Sequence, residues 1–257
     1  MSLSDAQILA IWEAGRSQHP LDRALTMLLA GAGAAGEDQG AHPTRAELGR
    51  LPIGQRDARL LDLREQTFGP TFNAVARCLS CAQEIEFSLR TADMKVSQPA
   101  AGDADDIPQT QLEHDGWRVR FRALDSRDLS HAVAAADREA GVRILLERCV
   151  LAAERIAPDV ADDVKEIPAS VRNRVQQWLA ELDPQSQVML ALRCPHCDVA
   201  WQAPFDIAGF FWDELSAQAR RLLREVHVLA SAYGWSEAEI LALGAARRAA
   251  YIDLVGA

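Results

Sequence analysis

Cys78-Leu79-Ser80-Cys81 and Cys194-Pro195-His196-Cys197 are two C-x-x-C turns more than a hundred residues apart, each set between two apolar runs. Thr71 to Arg77 and Glu84 to Leu89 flank the first, and Gln187 to Arg193 and Val199 to Phe205 flank the second. Both read as β-hairpins carrying two thiols at the tip. One such turn is a weak signal, because C-x-x-C also occurs in redox sites. Two on matching hairpins supply four sulfur ligands, the set a tetrahedral structural zinc takes, with no position left for water or substrate. Cys78, Cys81, Cys194 and Cys197 are therefore expected to hold Zn2+ as a structural ion. A thioredoxin-like dithiol is disfavoured, since neither turn opens a helix after a strand.

Composition narrows the function class. With 257 residues, 49% hydrophobic and 25% charged, the chain can bury a core as one elaborate domain or two small ones. A formal net charge of -10 argues against general affinity for phosphate backbones or anionic membranes. No apolar run approaches the roughly 20 residues of a membrane span, and the N-terminus lacks the basic-then-apolar layout of a signal peptide. The expected setting is a cytoplasm, where thiols stay reduced and metal binding is favoured over disulfides.

Working outward from the knuckles, residues 1–70 read as helical. Ser4 and Gln7 form a capping box, Leu3 can staple onto Ile8, and a second helix follows Pro20. Gly31 to Gly40 reads as a Gly/Ala-rich loop, and Thr44 with Glu47 starts a short helix that Pro52 interrupts. Ile53 to Phe68 is amphipathic, and its dense charges read as a solvated face. The hairpins occupy 71–90 and 187–206, and between them 91–186 is an inserted segment. Within it Pro99 to Pro108 reads as an acidic linker, Asp115-Gly116 as the turn of a hairpin in which Val119 and Phe121 alternate with arginines, and Asp125 or Ser126 as the cap of a helical region reaching about Leu151. Pro168 to Leu182 follows as a helix. From 207 to 257 the pattern is a helical hairpin, with a long helix ended by Gly234 and a capping box of Ser236 and Glu239. The fold class is α+β, predominantly helical: a split zinc-ribbon-like pair of hairpins, an inserted α/β segment and a C-terminal helical hairpin.

No catalytic residues stand out. There is no glycine-rich phosphate loop, G-x-S-x-G elbow, H-E-x-x-H motif or nucleophile-base pairing, so the chain does not read as an enzyme with a small-molecule substrate. Cys149 falls on an apolar helix face and reads as a core cysteine; His196 reads as an exposed turn residue.

Leu222-Leu223-Arg224-Glu225-Val226-His227, continuing through Tyr233-Gly234-Trp235-Ser236-Glu237 to Arg247-Arg248 and Tyr251, resembles the tail-baseplate proteins of contractile-tailed phages and related bacterial contractile injection systems, and among them the small hub-assembly proteins of large myophages. Leu51-Pro52-Ile53-Gly54-Gln55-Arg56-Asp57-Ala58-Arg59-Leu60-Leu61 and Asp125-Ser126-Arg127-Asp128-Leu129 are similar to longer members of such clusters. The resemblance implies a non-enzymatic structural or assembly component that binds hub, wedge or tail proteins, in the cytoplasm during assembly or in the finished particle. Tyr233, Trp235, Ile240 and Tyr251 read first as the core of the helical hairpin, with Trp235 and Tyr251 as further candidates for partner contact. Phe210, Phe211 and Trp212 cannot all face one side of a helix, so Phe210 and Trp212 are the stronger candidates for a partner surface. The rival reading is a zinc-ribbon nucleic-acid or regulatory adaptor, which the acidic balance disfavours.

Overall fold

The structure is a computed structural model that describes residues 2–33, 42–96, 109–156 and 167–256. The acidic linker and the Gly/Ala-rich loop fall outside the described residues, except that Gly31 to Gly33 close a helix. In chain order, α1 (Asp5–Gly15) and α2 (Pro20–Gly33) precede α3 (Arg45–Arg50), α4 (Ile53–Phe68), β1 (Thr71–Arg77), β2 (Glu84–Arg90) and α5 (Thr91–Met94). Then come β3 (Gln109–His114), β4 (Trp117–Arg122), α6 (Ser126–Val133), α7 (Arg138–Cys149), β5 (Val150–Arg155) and α8 (Ala169–Leu182). A 3-10 turn (Pro184–Ser186), β6 (Met189–Arg193), β7 (Ala200–Pro204), α9 (Ile207–Tyr233), α10 (Glu237–Ala242) and α11 (Ala245–Val255) complete the chain. This is an α+β fold in which helix predominates.

The chain forms two compact units. Met1–His42 and Ile207–Ala257 make a helical unit, and Pro43–Asp206 makes a central one. In the helical unit α1, α2 and α11 pack on the 27-residue α9, burying Ile8, Ile11, Met27, Phe211, Leu215 and Leu222. Gly15 is required there, because a Cβ at that position would lie 2.4 Å from the Trp212 ring. Ser4 caps α1 in the reciprocal box with Gln7, Ser236 does the same for α10 with Glu239, and Gly234 adopts φ 71° after α9. Arg248 is 1% exposed and ties three elements together: it donates to Asp5 Oδ2 at 2.6 Å, to Glu225 Oε2 at 2.8 Å and to the Leu243 carbonyl at 2.5 Å.

In the central unit the strands form three small antiparallel sheets, β1-β2, β3-β4-β5 and β6-β7. Asp115 and Gly116 both take positive φ, 49° and 73°, as a type I′ hairpin requires. Val119 and Phe121 point inward, packing with Leu146, Cys149, Val171 and Val175 in one apolar cluster. Two expectations need correction in this segment. The helical region from Ser126 breaks between α6 and α7, and Val150–Arg155 is not helix but a third strand, paired antiparallel with β4. The apolar run around Val150 fits either period, and pairing with a distant strand decides it. α5 is a further short element without a sequence signal.

The dense charge of α4 is not simply a solvated face either. Arg56 and Arg64 are 6% and 2% exposed. Arg56 pairs with Asp57 at 2.7 Å and donates to Ser126 Oγ at 3.3 Å; Arg64 donates to the Gly69 carbonyl at 2.6 Å and lies 3.9 Å over the Phe72 ring. The start of α4 has no cap of its own, since Pro52 offers no side-chain acceptor. Asp183 replaces it from 129 residues away, accepting the Gly54 N–H at 2.8 Å. That approach needs glycine: a Cβ on Gly54 would sit 1.9 Å from Asp183 Oδ1. Ile53 also donates to the Leu124 carbonyl at 3.0 Å, and Pro52 bridges to Asp125. The segments Leu51 to Leu61 and Asp125 to Leu129 thus meet as one joint.

Beside that joint Asp128 is fully buried and accepts Arg122 through both carboxylate oxygens, at 2.7 and 3.0 Å, as well as Arg148 at 2.8 Å and the Asp125 N–H at 3.0 Å. Burial alone would raise its pKa; the Arg122 hydrogen bonds, aided by the Asp125 amide and Arg148, outweigh it and hold the carboxyl below the usual range. A lowered folded pKa contributes stability that is present above the unfolded value near 3.9 and is lost as pH falls through the folded value. The thermal midpoint should therefore drop on acidification below about pH 4. Asp128→Asn, which removes the buried charge that Arg122 and Arg148 share, should cost about 3 kcal/mol at neutral pH and flatten that acid limb, both measurable by thermal melts across pH.

Candidate metal centre

Each cysteine turn is built by the same local rules. After β1, the Cys78 N–H donates to the Gln83 carbonyl at 2.9 Å and the Cys78 carbonyl accepts the Ala82 N–H at 3.0 Å. After β6, the Cys194 N–H donates to the Val199 carbonyl at 2.9 Å and the Cys194 carbonyl accepts the Asp198 N–H at 2.9 Å. Ala82 and Asp198 close the turns at φ 57° and 61°, left-handed conformations uncommon for residues with a side chain. Two hairpins with unrelated flanking sequences thus repeat one backbone geometry, which turns both thiols of each pair to the same side.

The two tips face each other. The four Sγ atoms of Cys78, Cys81, Cys194 and Cys197 all lie within 4.8 Å of one another. Cys78 Sγ is 3.6 Å from Cys197 Sγ, and Cys81 Sγ is 3.6 Å from Cys194 Sγ, so the first cysteine of each turn meets the second of the other. A disulfide needs about 2.05 Å between sulfurs. A tetrahedral ion bonded at about 2.3 Å to each sulfur needs sulfur-sulfur edges of about 3.8 Å. The spacing fits a shared ion, not a bond. Cys78 and Cys194 are buried, Cys81 and Cys197 half-buried, and Ile85, Phe87 and Trp201 pack around them.

Electrostatics point the same way. Amide N–H groups of Cys81 and Ser80 directed at the Cys78 sulfur bring its thiol down to about 6. Cys81 also feels a backbone hydrogen bond from Gln83, which lowers it, but burial and the neighbouring Cys194, Cys197 and Cys78 sulfurs push it up to about 12. One thiolate forms readily, and further negative charge in so small a volume is opposed until a cation shares it. Four sulfur donors suit a soft or borderline metal ion. The fifth cysteine, Cys149, is fully buried in the apolar cluster of the central unit, where burial pushes its thiol up to about 12.

The family described as T4 bacteriophage base plate protein matches residues 38–212, more than half of the chain. The chain belongs to that family. Its baseplate match includes both cysteine turns and the joint formed by Leu51 to Leu61 and Asp125 to Leu129, and it ends at Trp212, before the resembling motif that starts at Leu222. The family supports a structural role in a phage baseplate. No individual curated protein and no solved structure gives a significant match. Among the described residues no helix is long and apolar enough to cross a membrane.

The remaining site candidates scatter. His196 is exposed at the tip of the second turn. Trp212, expected on an open face, is 8% exposed: it packs on Gly15 and carries the Arg23 guanidinium 4.5 Å from its ring, so it serves the helical unit's own core. Phe210 is half-buried. Tyr233, Trp235 and Tyr251 form one aromatic corner, with Tyr233 and Trp235 stacked at 4.7 Å and Tyr251 edge-on to Trp235 at 4.9 Å. Tyr233 stays 39% exposed, and Leu254 and Val255, three and four residues after Tyr251 on α11, are 67% and 42% exposed.

If the four sulfurs form one site, purified protein stripped of metal should bind one cobalt(II) ion per chain with thiolate-to-metal charge-transfer absorption. Cys194→Ser should weaken that binding at least tenfold and diminish the sulfur bands, while Cys149→Ser should leave both unchanged.

Proposed function

We propose that this protein is a non-enzymatic structural or assembly component of a contractile phage-tail or injection-system baseplate, in which a zinc ion held by Cys78, Cys81, Cys194 and Cys197 clamps two distant hairpins and fixes the surfaces that bind other hub, wedge or tail proteins. The observation that carries the reading is the convergence of four thiols from two hairpins within 4.8 Å inside a baseplate-family segment. An all-sulfur set of four leaves no open coordination position, which supports a structural ion. Zinc fits a set of four thiolates in a protein expected to fold in a reducing compartment.

Charge around the turns supports protein partners over nucleic acid. Arg193 pairs with Asp198 at 2.8 Å, and Arg77 lies 3.8 Å from Glu84, so the basic groups nearest the tips are already faced by acids. A net charge of -10 adds to this. On the helical unit the aromatic corner of Trp235 and Tyr251 is one proposed partner surface, and the half-buried Phe210, at the opposite end of α9, is a separate candidate. The Trp235 and Tyr251 rings are half-buried, and aromatic residues are enriched among the anchors of protein interfaces.

Two measurements address this reading. Elemental analysis of protein purified without added metal should find one zinc per chain. Co-purification with neighbouring baseplate proteins expressed from the same gene cluster should fall at least tenfold for the pair Trp235→Ala and Tyr251→Ala, with the melting curve of the central unit unchanged. Full retention of all partners by that variant would remove the aromatic corner from the interface, and a metal content near zero would remove the zinc.

A further inference from the structure

The four sulfurs of the cysteine cluster differ in access. Cys81 and Cys197 are half-buried, whereas Cys78 and Cys194 are buried. The two sulfur contacts at 3.6 Å both run between hairpins, Cys78 with Cys197 and Cys81 with Cys194. Each contact therefore joins one accessible sulfur to one buried sulfur. The turns that carry them are pinned by their own backbone: Ala82 and Asp198 donate back to the Cys78 and Cys194 carbonyls, and the Ser80 N–H donates to Cys78 Sγ at 3.4 Å. The fold thus presents two prepared thiol pairs, each with one sulfur open to a small molecule and a buried one in contact with it.

Sequence separation gives these pairs a second property. Cys78 and Cys197 are 119 residues apart and Cys81 and Cys194 are 113 apart. The two cysteines of one C-x-x-C turn meet in the unfolded chain almost as readily as in the folded one, so a bond between them adds little to the fold. A bond across the hairpins restricts the unfolded chain over the whole loop it closes, and the folded chain already holds its two sulfurs in contact. The fold therefore favours the cross-hairpin bonds over the in-turn ones.

We propose that the cluster is a redox-dependent clamp, in which a low-molecular-weight disulfide oxidant converts the four thiols into two cross-hairpin disulfides, Cys78–Cys197 and Cys81–Cys194. It rests on the proposed metal clamp for its starting state. The Cys197 thiolate attacks one sulfur of the oxidant, a mixed disulfide forms and the other half leaves as a thiolate. Cys78 then attacks Cys197 Sγ, forming the Cys78–Cys197 bond and expelling the second half; two cysteines are oxidised and one small disulfide is reduced to two thiols. Protons still carried by the cysteine pair pass to those released thiols. Cys81 and Cys194 repeat the exchange with a second oxidant molecule. Four consumed thiols leave no ligand set for a metal ion, yet the hairpins stay joined, now covalently. A reducing cytoplasm keeps the thiols free for metal, and a baseplate component carried outside a reducing cell meets such oxidants without its clamp coming apart.

The test uses the full chain as purified, treated with oxidised glutathione or kept in reduced glutathione. Each sample is alkylated in denaturant, digested with pepsin at acid pH and mapped by mass spectrometry with electron-transfer fragmentation. Oxidised protein should yield the Cys78–Cys197 and Cys81–Cys194 pairs at least about tenfold over in-turn bonds, with Cys149 recovered as the alkylated thiol. Cys81→Ser should still form Cys78–Cys197. Hydrogen exchange in excess chelator reads the consequence: β1, β2, β6 and β7 should stay protected in oxidised protein and lose protection once dithiothreitol is added. Dominant Cys78–Cys81 and Cys194–Cys197 bonds, or oxidised hairpins that lose protection in chelator, would overturn the proposal. Purified protein that carries no metal and keeps its hairpins protected in chelator while reduced would fail the metal reading instead, and the identity of the disulfide pairs would still decide this one.

Discussion

Four sulfurs brought within 4.8 Å of one another are the constraint around which the central unit is arranged. Four sulfurs so placed could share one cation, and in the proposed reading that cation would couple metal binding to the position of two hairpins. Everything from β2 to β6 lies inside the loop they close. A clamp that closes so long a loop would limit the unfolded ensemble, and zinc in the proposed role would contribute on the order of 10 kcal/mol. The neighbouring contacts are modest by comparison: Phe72 meets Phe205 edge-on at 5.7 Å, and Gln185 holds the end of α5 through Met94 and Val96 at 3.2 and 2.6 Å. They align the two halves, and the proposed clamp would fix them.

A second set of contacts explains why the baseplate-family segments take the form they do. Pro52 cannot cap α4, so Asp183 reaches across to the Gly54 amide, and glycine leaves room for it. Arg56 then points at Ser126, while Asp125 and Asp128 cap α6 and anchor Arg127, Arg122 and Arg148. Charged residues that look like a polar surface in the sequence are a buried network.

Features governed by local chemistry were legible in the sequence. The C-x-x-C tips, the Asp115-Gly116 turn, the capping boxes of Ser4, Thr44 and Ser236 and the stop at Gly234 each depend on a few adjacent residues, and each is present. What escaped depends on partners far along the chain. β5 is a strand because β4 offers it an edge; Arg56 and Arg64 are buried because Asp57, Ser126, Gly69 and Phe72 receive them; Trp212 is interior because Gly15 leaves space for its ring. The family relation was legible too, but the matched segment is the cysteine-bearing unit and not the C-terminal motif.

The clamp is tested most directly by hydrogen exchange on the intact protein before and after removal of metal with a strong chelator. Metal loss should abolish protection of β1, β2, β6 and β7 together, while the amides of α1, α9 and α11 in the helical unit keep theirs. Unchanged protection in both hairpins after complete metal removal, or loss in one hairpin alone, would contradict the account.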